Sequence, residues 1–312
     1  MAPLLTLFTA PKSFETPHIN IIQRNMLRNW LALGDEVAVA VIGDDPGVAE
    51  ICREYGIRYL PEVRTNAQGT PLISSIFELG RSLNESPFLA YANADILFLP
   101  DLVDAVRRLA EAPEPLLAIG QRYDTDITET LDFSGDWPAH LHQLIAEKGR
   151  LHGQTGSDYF IYPRACFKEI PDFAVGRAGW DNWMLYHTRY QGWKLVDATP
   201  SITAIHQNHD YAHLPGGVIH FRQPESHENV KIAGGRRAIF SATDSRYLLT
   251  DAGLERKRLG WKGFWREVEI FPLIKLHSRL LGSISFAVFH PVKAFREVRG
   301  WLAYKLKADK AG

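Results

Sequence analysis

At 312 residues, 46% hydrophobic and 23% charged, the chain suffices for one large domain, or for a domain plus an appendage, around a real core. A net charge of −1 excludes a global field for nucleic acid, so no nucleic-acid partner is expected. Two cysteines, Cys52 and Cys166, exclude a disulfide framework and a cysteine zinc pattern, and they fit a reducing compartment.

Leu4-Leu5-Thr6-Leu7-Phe8-Thr9 reads as a buried first strand, with Ala10-Pro11-Lys12-Ser13-Phe14 as the loop after it. Helical spacing over 20–33 gathers Ile22, Met26, Leu27 and Trp30 on one face, and Gly34 stops it. A second strand over 36–43 ends in Asp44-Asp45-Pro46-Gly47. A helix over 48–55, a short strand over 57–60 and a helix over 72–83 follow, with Pro71 near the last helix's first turn. The fourth strand, over 87–99, carries a polar Asn93-Ala94-Asp95 step. A helix over 102–110 and a strand over 116–120 continue the alternation. Such alternation predicts an α/β fold with a mixed, mostly parallel sheet flanked by helices. The polar, turn-rich stretch over 124–137 reads as a long loop over a site. Order returns with a strand over 158–162, a helix over 183–190 and a late strand over 201–205, followed directly by His206 and His209. No internal repeat or low-complexity tract interrupts the chain.

Four short segments carry chemistry. An Asp between two apolar runs is costly unless paired or coordinated, so Asp95 is either a turn cap before Pro100 or a ligand for a phosphate-bound cation. In His206-Gln207-Asn208-His209-Asp210-Tyr211, with His213 beyond, imidazoles can complete the shell of a borderline metal such as Mn²⁺. They would share a face if the segment were helical, and the alternative is ordinary hydrogen-bonded histidines, the reading kept for His213 and His220. Asp181, between Trp180 and Trp183, is a helix cap, a general base raised by apolar neighbours, or a partner for a sugar hydroxyl beside stacking aromatics. Gly153-Gln154-Thr155-Gly156-Ser157-Asp158 lacks the Lys-Ser/Thr end of a phosphate loop and reads as a tight turn that can aim Asp158 at the site.

In this order the segments resemble a nucleotide-sugar glycosyltransferase of the GT-A fold, family 2-like, over roughly residues 4–215. The matching parts are the first strand and its loop, Asp44-Asp45, Asn93-x-Asp95, Gly179-Trp180-Asp181-Asn182 and His206. The resemblance implies a GT-A-like (Rossmann-like) catalytic domain over 1–250, its nucleotide half about 1–120 and its acceptor half about 121–250. It implies transfer of a hexosyl group from a UDP- or GDP-linked donor to a hydroxyl acceptor, a polysaccharide or lipid-linked glycan, with Mn²⁺ or Mg²⁺ and with inversion. Asp95 and His206 would hold the metal, with Asn93 and His209 as weaker candidates. Thr9, Ala10, Pro11, Asp44, Asp45, Asn93 and Asp95 would bind the donor. Asp158, Trp180 and Asn182 would face the acceptor, and Asp181 would be the catalytic base. Two departures from the family pattern stand out: Asn93 replaces the first acid of Asp-x-Asp, and Asp181 stands in Trp-Asp-Asn rather than Glu-Asp.

Two other functions compete with this one. A nucleotidyltransferase would want a Gly-rich basic loop where Thr9-Ala10-Pro11-Lys12-Ser13 stands. A non-catalytic sugar-binding or scaffold subunit of a polysaccharide assembly complex would tolerate Asn93. Residues 251–312 form a basic, aromatic tail expected to be an amphipathic helical extension, with Trp261, Phe264, Trp265, Phe295 and Trp301 among Lys and Arg. From Glu255 onward it holds 13 Lys/Arg against 5 Asp/Glu. It reads equally as a membrane-surface segment or as helices packed on protein. Met1-Ala2-Pro3 opens without a signal-peptide pattern and no run approaches the roughly 20 apolar residues of a membrane span. The expected location is therefore cytoplasmic, with peripheral contact at the inner membrane face.

Overall fold

The structure is a computed structural model that describes residues 2–112, 114–209 and 223–308, with side chains through residue 299. The chain opens with β1 (Leu5–Thr9), α1 (Pro17–Leu31), β2 (Val37–Ile42), α2 (Val48–Tyr55), β3 (Arg58–Leu60) and α3 (Ile73–Ser82). It continues through β4 (Phe88–Ala92), β5 (Ile96–Phe98), α4 (Asp101–Ala110), β6 (Leu116–Ile119), β7 (Arg122–Thr125), α5 (Trp137–Lys148) and β8 (Arg150–Leu151). Then come β9 (Tyr159–Pro163), α6 (Trp180–Tyr190), β10 (Lys194–Asp197), β11 (Ala204–Gln207), α7 (Pro224–Ile232), β12 (Tyr247–Thr250) and β13 (Gly253–Arg256). Three helices close it: α8 (Trp261–Ile274), α9 (Arg279–Phe289) and α10 (Pro291–Ala308).

The expected mixed, mostly parallel sheet is present. Nine strands follow the order β13-β12-β10-β6-β9-β4-β1-β2-β3. Pairings β4-β1-β2-β3 and β6-β10-β12 are parallel. Strand β9 runs antiparallel between β4 and β6, with Ile161 opposite both Ala90 and Ala118. All of β1, β4 and β6 is buried, as expected when helices cover both faces. Gly80 of α3 lies against the Phe8 ring of β1, where an added Cβ would come within 2.7 Å of the ring.

Two expected elements differ in ways that shape the site. The strand expected over 87–99 is two strands, β4 and β5. Asn and Asp favour turns, and Asn93-Ala94-Asp95 makes one, closed by the Ile96 N–H donating to Asn93 O at 3.2 Å. There the chain leaves the first sheet and enters a second, of order β5-β11-β7-β8. The late strand begins at Ala204 rather than Ser201, because Ser201 N–H and Ile202 N–H both turn back to Ala198 O at 2.9 Å. His206 therefore lies inside β11 instead of beyond it.

Strand β5 pairs with β11 on one edge, and α1 covers the other. Asn29 accepts from Phe98 N–H at 2.7 Å and donates to Phe98 O at 3.0 Å, while Trp30 Nε1–H donates to Ile96 O at 2.9 Å. A buried sheet edge needs such partners, which explains an Asn on the buried face of a helix.

The chain divides into two compact units, one of residues 1–188 with 193–257 and one of 189–192 with 258–312. The hairpin β12–β13 extends the large sheet, so this division falls at Lys257 rather than at residue 250. In the second unit Ser285 Oγ donates to Glu269 O at 2.7 Å, and the Glu269 carboxylate lies 3.1 Å from Arg266 and 3.2 Å from His290. No described helix is long and apolar enough to cross a membrane.

Candidate functional site

Strand register builds the site. Antiparallel pairing of β11 with β5 sets His206 opposite Ile96, the residue after Asp95, and Gln207 N–H donates to Asp95 O at 3.0 Å. Parallel pairing of β11 with β7 sets His206 opposite Asp124. The imidazole thus sits between two carboxylates, its Nε2 3.7 Å from Asp95 Oδ2 and its Nδ1 3.4 Å from Asp124 Oδ1. Just past the strand, His209 Nε2 lies 3.1 Å from Asp95 Oδ2. The histidines converge through a strand and the two residues after it, not through a helix. His18 Nε2, at the start of α1, lies 3.1 Å from Asn208 O, between the two histidines.

Donor atoms of Asp95, His206 and His209 lie within 4.8 Å of one another, the one such group among the described residues. The set fits a divalent cation. Asp95 Oδ1 is buried with no hydrogen-bond partner, an expensive state for a carboxylate oxygen that a bound cation would relieve. One carboxylate with two imidazoles suits a borderline ion such as Mn²⁺. Burial pushes the Asp95 carboxyl up, but His206, His209 and Lys12 together outweigh it and hold the group well below the usual carboxylate range.

Asp124 supports this group from behind. It lies 2.7 Å from His152 Nδ1 and accepts from Arg122 Nε at 3.0 Å. Burial raises its carboxyl, and the His152 and Arg122 hydrogen bonds bring it below the ordinary value. Arg122 also makes a short ion pair with Asp158 Oδ2, and Asp158 Oδ1 accepts from Asn93 Nδ2 at 2.9 Å. Asp158, expected beside the acceptor, is thus committed to Arg122 and to holding Asn93.

A cleft of about 1140 Å³ opens at the carboxyl ends of β1, β2 and β4, where an α/β sheet presents its ligand loops. Asp95, His206, His209, Lys12 and Asp181 all line it. So do Ala10, Pro11, Asp45, Asn93, Asp158, Trp180 and Asn182. Two expected donor residues are placed elsewhere. Thr9 is buried in β1, and Asp44 is turned outward, its carboxylate accepting from Tyr59 OH at 2.5 Å. The β1 and β2 loops are tied together, Phe14 N–H donating to Pro46 O at 2.9 Å, which brings Asp45 to the wall.

Asp181 stands in the first turn of α6, one residue inside the helix, and accepts from Gly179 N–H at 3.3 Å. Gly179 has φ +111, and a Cβ there would come within 3.2 Å of Val230. Burial pushes the Asp181 carboxyl above its ordinary value, opposed by the Asn182 and Gly179 N–H groups. Trp180 is only 5% exposed, packed among Phe77, Tyr91 and Phe160, so it is a wall more than a stacking platform. Asn182 Nδ2 donates to Phe240 O at 2.8 Å, fixing the opposite wall.

Lys12 went unassigned in the sequence because a single Lys in a loop looks like any solvated charge. Buried Gln23 clamps its backbone, accepting from Lys12 N–H at 2.7 Å and donating to Lys12 O at 2.9 Å. The side chain opens onto the cleft, where burial pushes its ammonium below the ordinary value and Asp95 opposes that shift. Arg122 and Asp124 share one face of β7, and the period of two in Arg122-Tyr123-Asp124 was the signal for them. Asp210, Tyr211, His213 and His220, and the side chain of Trp301, lie outside the described residues.

Fold and site together define a mixed α/β protein with a cation-ready cleft at its strand ends. No protein-family model matches the chain, and no curated protein matches its sequence. Among solved structures it is similar to S. aureus TarS 1–349 in complex with UDP-GlcNAc, with TM-score 0.49 and 13% identity over 75% of this chain and 65% of that one. S. aureus TarS aligns with TM-score 0.43 and 14% identity over 67% of this chain and 37% of that one. The mannosyltransferase PcManGT from Pyrobaculum calidifontis, in complex with GDP-Man and Mn²⁺, aligns with TM-score 0.39 and 10% identity over 66% and 57%. The chain therefore spans less than two thirds of the length of each.

Proposed function

We propose that the protein is a metal-dependent glycosyltransferase of GT-A type that moves a sugar from a nucleoside-diphosphate donor to a hydroxyl acceptor with inversion. The observation that carries the reading is one cleft lined both by the Asp95, His206 and His209 group and by an Asp181 with a raised pKa. Asp95, His206 and His209 would hold Mn²⁺ or Mg²⁺, which supplies Lewis-acid charge neutralisation for a leaving diphosphate. Lys12 adds a second positive charge beside Asp95. Ala10, Pro11 and Asp45 form the wall left for the base and ribose. Asp181 takes the proton from the acceptor hydroxyl, a role for which a raised carboxyl pKa is an asset. Asn182 holds the Phe240 wall on the acceptor side.

The test is Asp181→Asn. Transfer should fall by roughly 10²–10⁴-fold, the usual contribution of a general base, while donor affinity stays within about twofold. Retention of most of the activity would remove Asp181 from the mechanism.

A further inference from the structure

The helices of the second unit carry apolar side chains into solvent in regular stripes. On α8, Trp261, Phe264, Trp265 and Val268 recur at spacings of three and four residues and are exposed, Trp261 at 74%. On α9, Leu280, Ile284 and Val288 recur every four residues, with Leu280 72% and Val288 71% exposed. On α10, Val292, Phe295 and Val298 recur every three residues, and Phe295 is 68% exposed. Single exposed apolar residues are ordinary, whereas a stripe on each of three consecutive helices calls for a partner.

Charge selects the occupant. Residues 258–312 hold 11 Lys/Arg against 4 Asp/Glu, while the 254 residues before Glu255 carry 22 against 31. The positive charge is concentrated where the apolar stripes are. Of the few acids, Glu269 is buried and engaged with Arg266 and His290. Protein interfaces are depleted in Lys, yet Lys262, Lys275 and Lys293 lie among these stripes. Helices that lie in a lipid interface combine Lys/Arg with Trp, Phe and Leu. At 14, 11 and 18 residues, α8, α9 and α10 suit lying on a bilayer and not spanning it.

We propose that residues 258–299 are an anionic-membrane anchor, with the apolar stripes of α8, α9 and α10 at the headgroup–acyl boundary and Lys262, Lys275, Lys293 and Arg296 against anionic headgroups. This stands independently of the reaction proposed for the cleft.

The experiment is co-sedimentation of the full chain with phosphatidylcholine vesicles and with vesicles that also contain phosphatidylglycerol. Binding is expected on the anionic vesicles only, with a blue-shifted tryptophan emission. Two variants, Trp261→Ser with Phe295→Ser and Lys262→Glu with Lys293→Glu, should each cut the bound fraction about tenfold while circular dichroism stays unchanged. A chain that remains in the supernatant with anionic vesicles overturns the proposal. So does binding that ignores both lipid charge and the variants. A concentration-dependent dimer that the Ser substitutions dissolve, without vesicle binding, also overturns it and gives the stripes to a second copy.

Discussion

Asp95 is the residue on which the site turns. One of its oxygens is shared between two imidazoles and the other is buried without a partner, so the protein alone leaves the group half satisfied. One step back, His206 Nδ1 lies 3.2 Å from Asn208 Oδ1 and 3.4 Å from Asp124 Oδ1, which leaves Nε2 toward Asp95. Asp124→Asn keeps the shape but removes the charge behind the imidazole. Mn²⁺ affinity measured by titration should drop roughly 10–100-fold, as for other groups that orient metal-bound histidines. An unchanged affinity would show that His206 needs no such support.

Elements explain why the site exists and why only part of it was legible beforehand. Asp95 and His206 were visible as polar residues abutting apolar strand segments. The β5–β11–β7 register that joins them was not, because it pairs His206 with Asp124, 82 residues away, and with Ile96, 110 residues away. For the same reason Asp124 falls in the stretch read as a loop, and Arg122 and His152 carry no assignment in the sequence. Asn29 belongs to this hidden layer, since a mid-helix Asn reads as surface until β5 is known to need a partner. Asn29→Ala should cost about 1–3 kcal/mol in denaturant unfolding by stranding both buried Phe98 backbone groups. Helix α6 sets a pH limit. Burial pushes His187, stacked 4.5 Å from Trp183, down to about 4. Its folded pKa lies below the unfolded value near 6.5, so the associated stability is intact above about pH 6.5 and lost as pH falls toward 4. The loss is at most about 3 kcal/mol. His187→Phe should flatten that acid limb in melting curves taken from pH 7 to about 4. An unaltered slope would place the acid sensitivity elsewhere.

At the scale of the molecule, the first unit carries the cleft and the second carries the basic, apolar-striped helices. The alternating strand–helix pattern made the large sheet readable, while β9, antiparallel between β4 and β6, and β13, antiparallel to β12, make it mixed. The proposed function requires that the cleft bind a nucleotide sugar through a cation held by Asp95. Isothermal titration of UDP- and GDP-sugars into the full chain, with Mn²⁺ and with chelator, tests it most directly. One donor should bind at least roughly fivefold tighter with Mn²⁺, a coupling that Asp95→Asn abolishes. Absence of nucleotide-sugar binding, or binding indifferent to both Mn²⁺ and Asp95→Asn, would contradict it.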